Sequence, residues 1–123
     1  MYSPEKIKAA FELRLMTEEG YAPAEEFCAV CGRQDIKEPV FMLEDGQTVC
    51  RGCRKAGKAL PLSENALAAL RYLVHAPAKK LLSFRVGDED LHLLADVAEN
   101  WLLQCSGRSF STLTYYKNLI RNL

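Results

Sequence analysis

The sequence lacks several features that would assign it to common classes of protein. No apolar run approaches the roughly 18 residues that a membrane span needs. Residues 1–8 lack the basic-then-apolar layout of a secretory signal. The chain has 123 residues, enough for one compact core but not for two. These absences predict a single cytoplasmic domain whose thiols stay reduced and which has no membrane partner.

Net charge is also absent, because 16 basic and 16 acidic side chains cancel. The two signs are unevenly distributed. Residues 51–85 hold eight basic side chains and one acidic side chain, whereas residues 86–100 hold five acidic side chains and none that is basic. Local fields decide whether a surface attracts a polyanion. The zero total therefore excludes nothing about nucleic-acid binding.

Cysteine, in contrast, is plentiful: the chain has five, and four of them form two C-x-x-C pairs. Cys28 and Cys31 are separated from Cys50 and Cys53 by eighteen residues, a spacing typical of four-cysteine zinc sites. A two-residue gap lets both thiolates of one tight turn reach one ion. A hairpin between the pairs can then return the chain to complete a tetrahedron. We predict one structural Zn²⁺ held by these four cysteines.

Two other chemistries of such cysteines are less well supported. An iron centre of the rubredoxin kind usually has proline and aromatic residues around the second pair, where this chain has Arg51, Gly52 and Arg54. A thiol redox centre needs one reactive C-x-x-C near a βαβ unit, and no such unit is visible. Four thiolates also fill the coordination shell of Zn²⁺ and leave no position for substrate or water. The pattern predicts a binding domain without a small-molecule substrate, not an enzyme.

Basic side chains surround the cysteine pairs. We call the following five residues the basic group: Arg33, Arg51, Arg54, Lys55 and Lys58. Two interpretations stay open. The basic group either offsets the negative charge of a zinc ion with four thiolates, or it contacts the phosphates of a nucleic acid.

Helical periodicity is present on both sides of the cysteine region. It predicts helices over residues 4–19, 64–75, 88–106 and 111–122. Ser3, Ser63 and Asp88 are the predicted N-caps. The apolar stripe of 88–106 is wide enough for burial on two sides, or for burial on one side and an exposed partner site on the other.

The region between the cysteine pairs contains Asp45-Gly46 between two apolar runs, which predicts a β-hairpin. Residues 81–86 are predicted to be a short connector or a strand. The predicted fold is mainly α. A helical bundle from residues 1–24 and 60–123 would carry an inserted four-cysteine, zinc-ribbon-like β-hairpin module at residues 25–58.

The remaining polar candidates are predicted to be structural. His75 is expected at a helix C-terminus and His92 on the water-facing side of its helix, neither with a metal-ligating neighbour. Cys105 is predicted to be a small core residue. Tyr115 and Tyr116 are predicted to be a core pair and not a base-stacking platform.

Several segments occur in an order that resembles a known family. They are Phe11 to Pro23, Cys28-x-x-Cys31-Gly32, Cys50-x-x-Cys53, Leu60-Pro61-Leu62-Ser63 and Gly107 to Tyr116. Together they resemble the C-terminal domain of the bacterial DNA repair protein RecO. The resemblance covers almost the whole chain, and no single motif decides it.

The resemblance implies a mediator of homologous recombination in the RecFOR pathway, cytoplasmic and associated with the bacterial nucleoid. Expected partners are RecR, the acidic C-terminal tail of single-stranded DNA-binding protein in a groove between helices, and single-stranded DNA. The OB-fold that precedes this domain in the family is expected to be absent here, so DNA binding should be weak. The alternative is a regulatory zinc module that binds protein partners only.

Overall fold

The computed structural model describes residues 2–106, a chain of three helices and three short strands. The helices are α1 (Pro4–Glu18), α2 (Glu64–His75) and α3 (Asp88–Ser106). The strands are β1 (Val40–Met42), β2 (Gln47–Val49) and β3 (Ala59–Pro61). Single 3-10 turns lie at Arg51–Cys53 and Ala78–Lys80. The helix predicted for 111–122, with Tyr115 and Tyr116, lies outside the described residues.

The helices begin and end close to where the sequence predicts. The Ser3 hydroxyl accepts a hydrogen bond from the Lys6 amide at 3.2 Å, and that of Ser63 accepts one from the Ala66 amide at 3.0 Å. Gly20 follows α1 with φ at +90°. The N-cap prediction for Asp88 is one residue late, because Asp88 is itself helical. Within residues 2–106, no helix is long and apolar enough to cross a membrane.

Both apolar faces of α3 are buried. The helix packs against α1, α2 and β3, and Leu94, Val97 and Trp101 are at most 3% exposed. Cys105 is fully buried, as predicted. The wide stripe read from the sequence is therefore the shared core of the bundle. Leu103, which is 61% exposed, is the large apolar residue of α3 that stays in water.

The sheet is antiparallel with strand order β2-β1-β3. Phe41 lies in its centre and packs edge-on against Trp101 of α3, with ring centroids 5.7 Å apart. Val40 and Met42 point to the opposite face because side chains alternate along a strand. They too are buried, and Gly57, beyond the second cysteine pair, lies close to Met42. The sheet is thus covered on both faces.

The hairpin between the cysteine pairs is confirmed, whereas β3 was not predicted. Residues 60–63 were expected only to lead into α2, yet Leu60 pairs with Phe41 across the sheet. Pro61 lacks an amide hydrogen, and it is tolerated because β3 is an edge strand. Residues 81–86 form a connector, not a strand.

The hairpin turn contacts the bundle at Gly46. This residue has φ at +64°, and a Cβ placed on it would lie 2.5 Å from Cη2 of Trp101. The indole N–H of Trp101 donates to the Tyr21 carbonyl at 2.8 Å, which fixes the ring against the turn. Glycine is therefore required here both for the backbone angle and for the close approach.

Replacement of Gly46 should separate these two requirements. Gly20 also has a positive φ, but a Cβ there would meet nothing within 4 Å. We expect Gly20→Ala to lower the free energy of unfolding by about 1 kcal/mol through backbone strain alone. Gly46→Ala should lower the free energy of unfolding by about 1–3 kcal/mol more than Gly20→Ala does, because the turn must move away from the indole ring. Urea unfolding followed by circular dichroism measures both; equal losses would contradict the contact.

Candidate metal centre

The sulfur atoms of the four paired cysteines converge at one end of the sheet. Those of Cys28, Cys31, Cys50 and Cys53 all lie within 4.8 Å of one another, and those of Cys31 and Cys50 are 4.0 Å apart. Four thiolates at about 2.3 Å from a tetrahedral zinc ion would be about 3.8 Å apart. The cluster therefore has the size and donor set to hold one metal ion of this kind.

The first cysteine turn, defined here as residues 25–34, is closed at its centre by its own backbone. The Cys28 amide donates to the Arg33 carbonyl at 2.8 Å, and the Gly32 amide donates to the Cys28 carbonyl at 2.9 Å. Gly32 has φ at +77°, a conformation that glycine adopts without strain. The Ala29 amide donates to the Thr48 carbonyl at 3.1 Å, which attaches this turn to β2.

The second cysteine turn, residues 50–54, starts directly after β2. Cys50 precedes the 3-10 turn Arg51–Cys53, and the Cys53 amide donates to the Cys50 carbonyl at 2.8 Å. The Arg51 amide donates to the Lys37 carbonyl at 3.4 Å. Because β2 joins both turns, the hairpin sets how far apart the two cysteine pairs lie.

The thiol of Cys28 is the one in the cluster that its surroundings make more acidic. Burial opposes ionisation of this thiol, but backbone amides outweigh it, and the pKa of Cys28 falls to about 6. The amides of Cys31 and Cys50 lie 3.5 Å and 3.4 Å from its sulfur. Burial and the neighbouring Cys28 and Cys31 raise the pKa of Cys53 to about 12. A bound metal ion would displace the protons of the thiols that it takes as ligands.

A contact that the sequence did not predict ties the first cysteine turn to the bundle. The Arg71 guanidinium, on α2, donates to the carbonyls of Glu25 at 2.9 Å, Glu26 at 3.4 Å and Gln34 at 3.1 Å. In the sequence Arg71 is one more cation in the basic stretch 51–85. No periodicity distinguishes it, since its partners are backbone atoms about forty residues away.

The basic group is exposed, and two of its members have polar neighbours. Arg51 lies 3.4 Å from the Glu38 carboxylate, and the Lys55 ammonium lies 3.4 Å from the Gln47 side-chain oxygen. Arg51 and Arg54 line a groove of 640 Å³ beside β3. The side chains of Arg33, Arg54 and Lys58 are turned to solvent.

The histidines differ in their surroundings. His92 is exposed, as predicted, and its hydrogen bond to Glu5, 2.7 Å between Nδ1 and Oε2, raises its pKa. The expectation that His75 has no metal-ligating neighbour is wrong. Its Nε2 lies 2.6 Å from Oε1 of Glu25, and Glu26 completes a cluster within 4.8 Å. The first cysteine turn carries both carboxylates to the end of α2.

Comparison with known proteins places the chain in a family. Residues 2–114 match the family model described as recombination protein O C terminal. The DNA repair protein RecO of Acetivibrio thermocellus is 32% identical over 120 residues, which cover 97% of this chain and 48% of that relative. RecO of Syntrophotalea carbinolica is 29% identical over 116 residues, covering 94% and 45%.

A third relative, RecO of Streptomyces griseus, is 37% identical over 73 residues, covering 59% of this chain and 29% of that protein. No solved structure gives a significant match. The chain spans about half the length of the curated relatives that it matches along nearly its whole length. On the extent of the family match, the chain belongs to the family of the C-terminal part of recombination protein O.

Proposed function

We propose that this chain is a zinc-stapled scaffold domain for DNA repair by homologous recombination, acting in the RecFOR pathway by binding and not by catalysis. The observation that carries the proposal is the four-cysteine cluster joined to a helical core of the recombination protein O family. Four thiolates would leave a zinc ion no open position for chemistry.

The proposed role of zinc is to hold the module at residues 25–58 on the core formed by residues 1–24 and the chain from residue 60 onward. Strands of three residues have little stability of their own. One ion bound by Cys28, Cys31, Cys50 and Cys53 would join the chain before the hairpin to the chain after it.

The proposed DNA contact uses the members of the basic group that face solvent, above all Arg54 and Lys58. This choice is supported because Arg51 and Lys55 already contact the side chains of Glu38 and Gln47. The same contacts leave fewer cations available for phosphates. They therefore favour the alternative, in which the basic group only balances the zinc site and the module binds proteins alone. Phosphate contacts would give weak, salt-sensitive binding without base specificity.

The proposed protein partners are RecR and the acidic tail of single-stranded DNA-binding protein. For the tail, we propose a groove of 590 Å³ between α2 and the connector before α3. Ala69, Tyr72 and Phe84 give it an apolar floor, and Arg85 supplies a positive charge at its rim. An acidic peptide with an apolar end fits that chemistry.

Metal content tests the zinc site. The purified chain should contain one zinc ion, and Cys50→Ala should lose it together with order in residues 25–58. The matched variant Cys105→Ala removes a buried cysteine outside the cluster and should keep the ion. Elemental analysis and far-ultraviolet circular dichroism measure the two effects, with part of the helical signal surviving in Cys50→Ala. Iron, or zinc retained by Cys50→Ala, would contradict the assignment.

The DNA contact is tested by removing two charges at a time. Arg54→Ala/Lys58→Ala should weaken binding to a labelled single-stranded oligonucleotide and reduce the slope of log affinity against log salt by about two units at most. Lys79→Ala/Lys80→Ala removes the same charge far from the cysteines in sequence and should change the slope less. Fluorescence anisotropy across a salt series gives both values. Identical curves for wild type and Arg54→Ala/Lys58→Ala, with zinc retained, would favour the protein-only alternative.

The tail groove is tested with a synthetic C-terminal peptide of single-stranded DNA-binding protein. Arg85→Glu should weaken its binding by about tenfold or more, since a like charge then faces the acidic peptide. Lys79→Glu, an exposed charge reversal outside this groove, is the control and should bind the peptide nearly as well as wild type. Calorimetric titration at low salt measures both. Equal affinity for Arg85→Glu and wild type would exclude this groove.

A further inference from the structure

We propose that a second groove, of opposite charge, binds a basic peptide segment of a protein partner through a lysine or arginine next to an apolar side chain. We call it the acidic groove. It has a volume of 480 Å³ and lies between the first cysteine turn and the end of α2. Its lining includes Pro23, Glu25, Glu26, Phe27, Val74 and His75.

The walls of the acidic groove leave an aromatic ring in water. Phe27 is 52% exposed although it directly precedes the buried Cys28. Across the groove, Val74 of α2 is half-buried, and Pro23 lies in the same lining. An exposed aromatic beside an apolar cleft is the usual anchor point for a partner side chain.

The charge of the acidic groove selects the partner. Glu25 is only 4% exposed, and Oε1 of its carboxylate is 2.6 Å from Nε2 of His75. Glu26 adds a second, exposed carboxylate. The three hydrogen bonds of the nearby Arg71 go to backbone carbonyls and not to these carboxylates. The carboxylates of Glu25 and Glu26 make this surface negative, which favours a lysine or arginine over an anionic partner.

The same charges exclude the partners proposed above for the other surfaces. Phosphates and an acidic tail would be repelled by Glu25 and Glu26, so this inference is independent of the DNA and tail contacts. It concerns a partner protein that presents a basic, partly apolar segment.

The backbone of the groove wall is held in place before any partner arrives. Arg71 fixes residues 25 and 26 from α2. On the other side, the Ala24 amide donates to the Gly46 carbonyl at 2.7 Å and the Thr48 amide donates to the Ala24 carbonyl at 3.0 Å. A groove fixed from both sides loses little conformational entropy on binding.

The probe for the test is a fluorescein-labelled peptide, Leu-Arg-Trp-Arg-Leu, titrated into the zinc-loaded chain. Leu-Glu-Trp-Glu-Leu tests the charge, and Ala-Arg-Ala-Arg-Ala tests the apolar contact. We expect binding of the first peptide only. Its binding should be about tenfold weaker after Phe27→Ser and about threefold weaker after Glu26→Gln. Both side chains are exposed, so the fold should tolerate these changes.

Two matched variants give the control. Val30→Ser removes an equally exposed apolar side chain, 51% exposed, from the same cysteine turn but outside the groove lining. Asp96→Asn removes an exposed carboxylate from α3. Both should bind the peptide like wild type. Loss of affinity in Val30→Ser equal to that in Phe27→Ser would overturn the proposal.

The other occupant that the cluster allows is a metal ion on Glu25, Glu26 and His75. If the peptide fails to bind while a second equivalent of zinc does, and that second equivalent is lost in His75→Ala, the proposal is overturned in favour of a metal site. Equal binding of the acidic and basic peptides would overturn it as well.

Discussion

Strands of three residues cannot bury enough apolar surface to be stable alone, and this constraint shapes the molecule. The sheet is held from one side by the Phe41–Trp101 contact and is also buried on the other. Since β2 runs directly into the second cysteine turn and bonds to the first, the position of the sheet decides where the sulfurs meet. This small sheet, covered on both faces, thus sets the position of the cysteine cluster and of part of the acidic groove.

The local sequence was sufficient to predict the elements that depend on residues close together in the chain. Ser3 and Ser63 cap helices whose apolar spacing is regular, and the Asp-Gly turn together with two C-x-x-C pairs indicated the hairpin and the cluster. Strand β3 could not be predicted in this way. Its three residues have no alternation and contain Pro61, and they become a strand only because β1 offers them a partner.

Charge illustrates the same division between local and long-range causes. In sequence, residues 51–85 form one positive stretch, but in the folded chain its members make different contacts. Arg71 binds carbonyls of the first cysteine turn, Arg51 lies beside Glu38, and Arg85 borders a groove on α2. The buried Glu25 and its neighbour His75 are fifty residues apart in sequence. A run of charged residues shows only which charges are neighbours along the chain. Which of them share a surface depends on how the chain folds.

The position of Trp101 has a practical consequence for watching this protein in solution. It is the one tryptophan of the chain, and its ring lies between the hairpin turn and the helices. Detachment of the turn would let water reach the indole and shift its emission to longer wavelength. The molecule therefore contains a natural optical reporter of whether the hairpin that joins its cysteine pairs is packed on the bundle, without any added label.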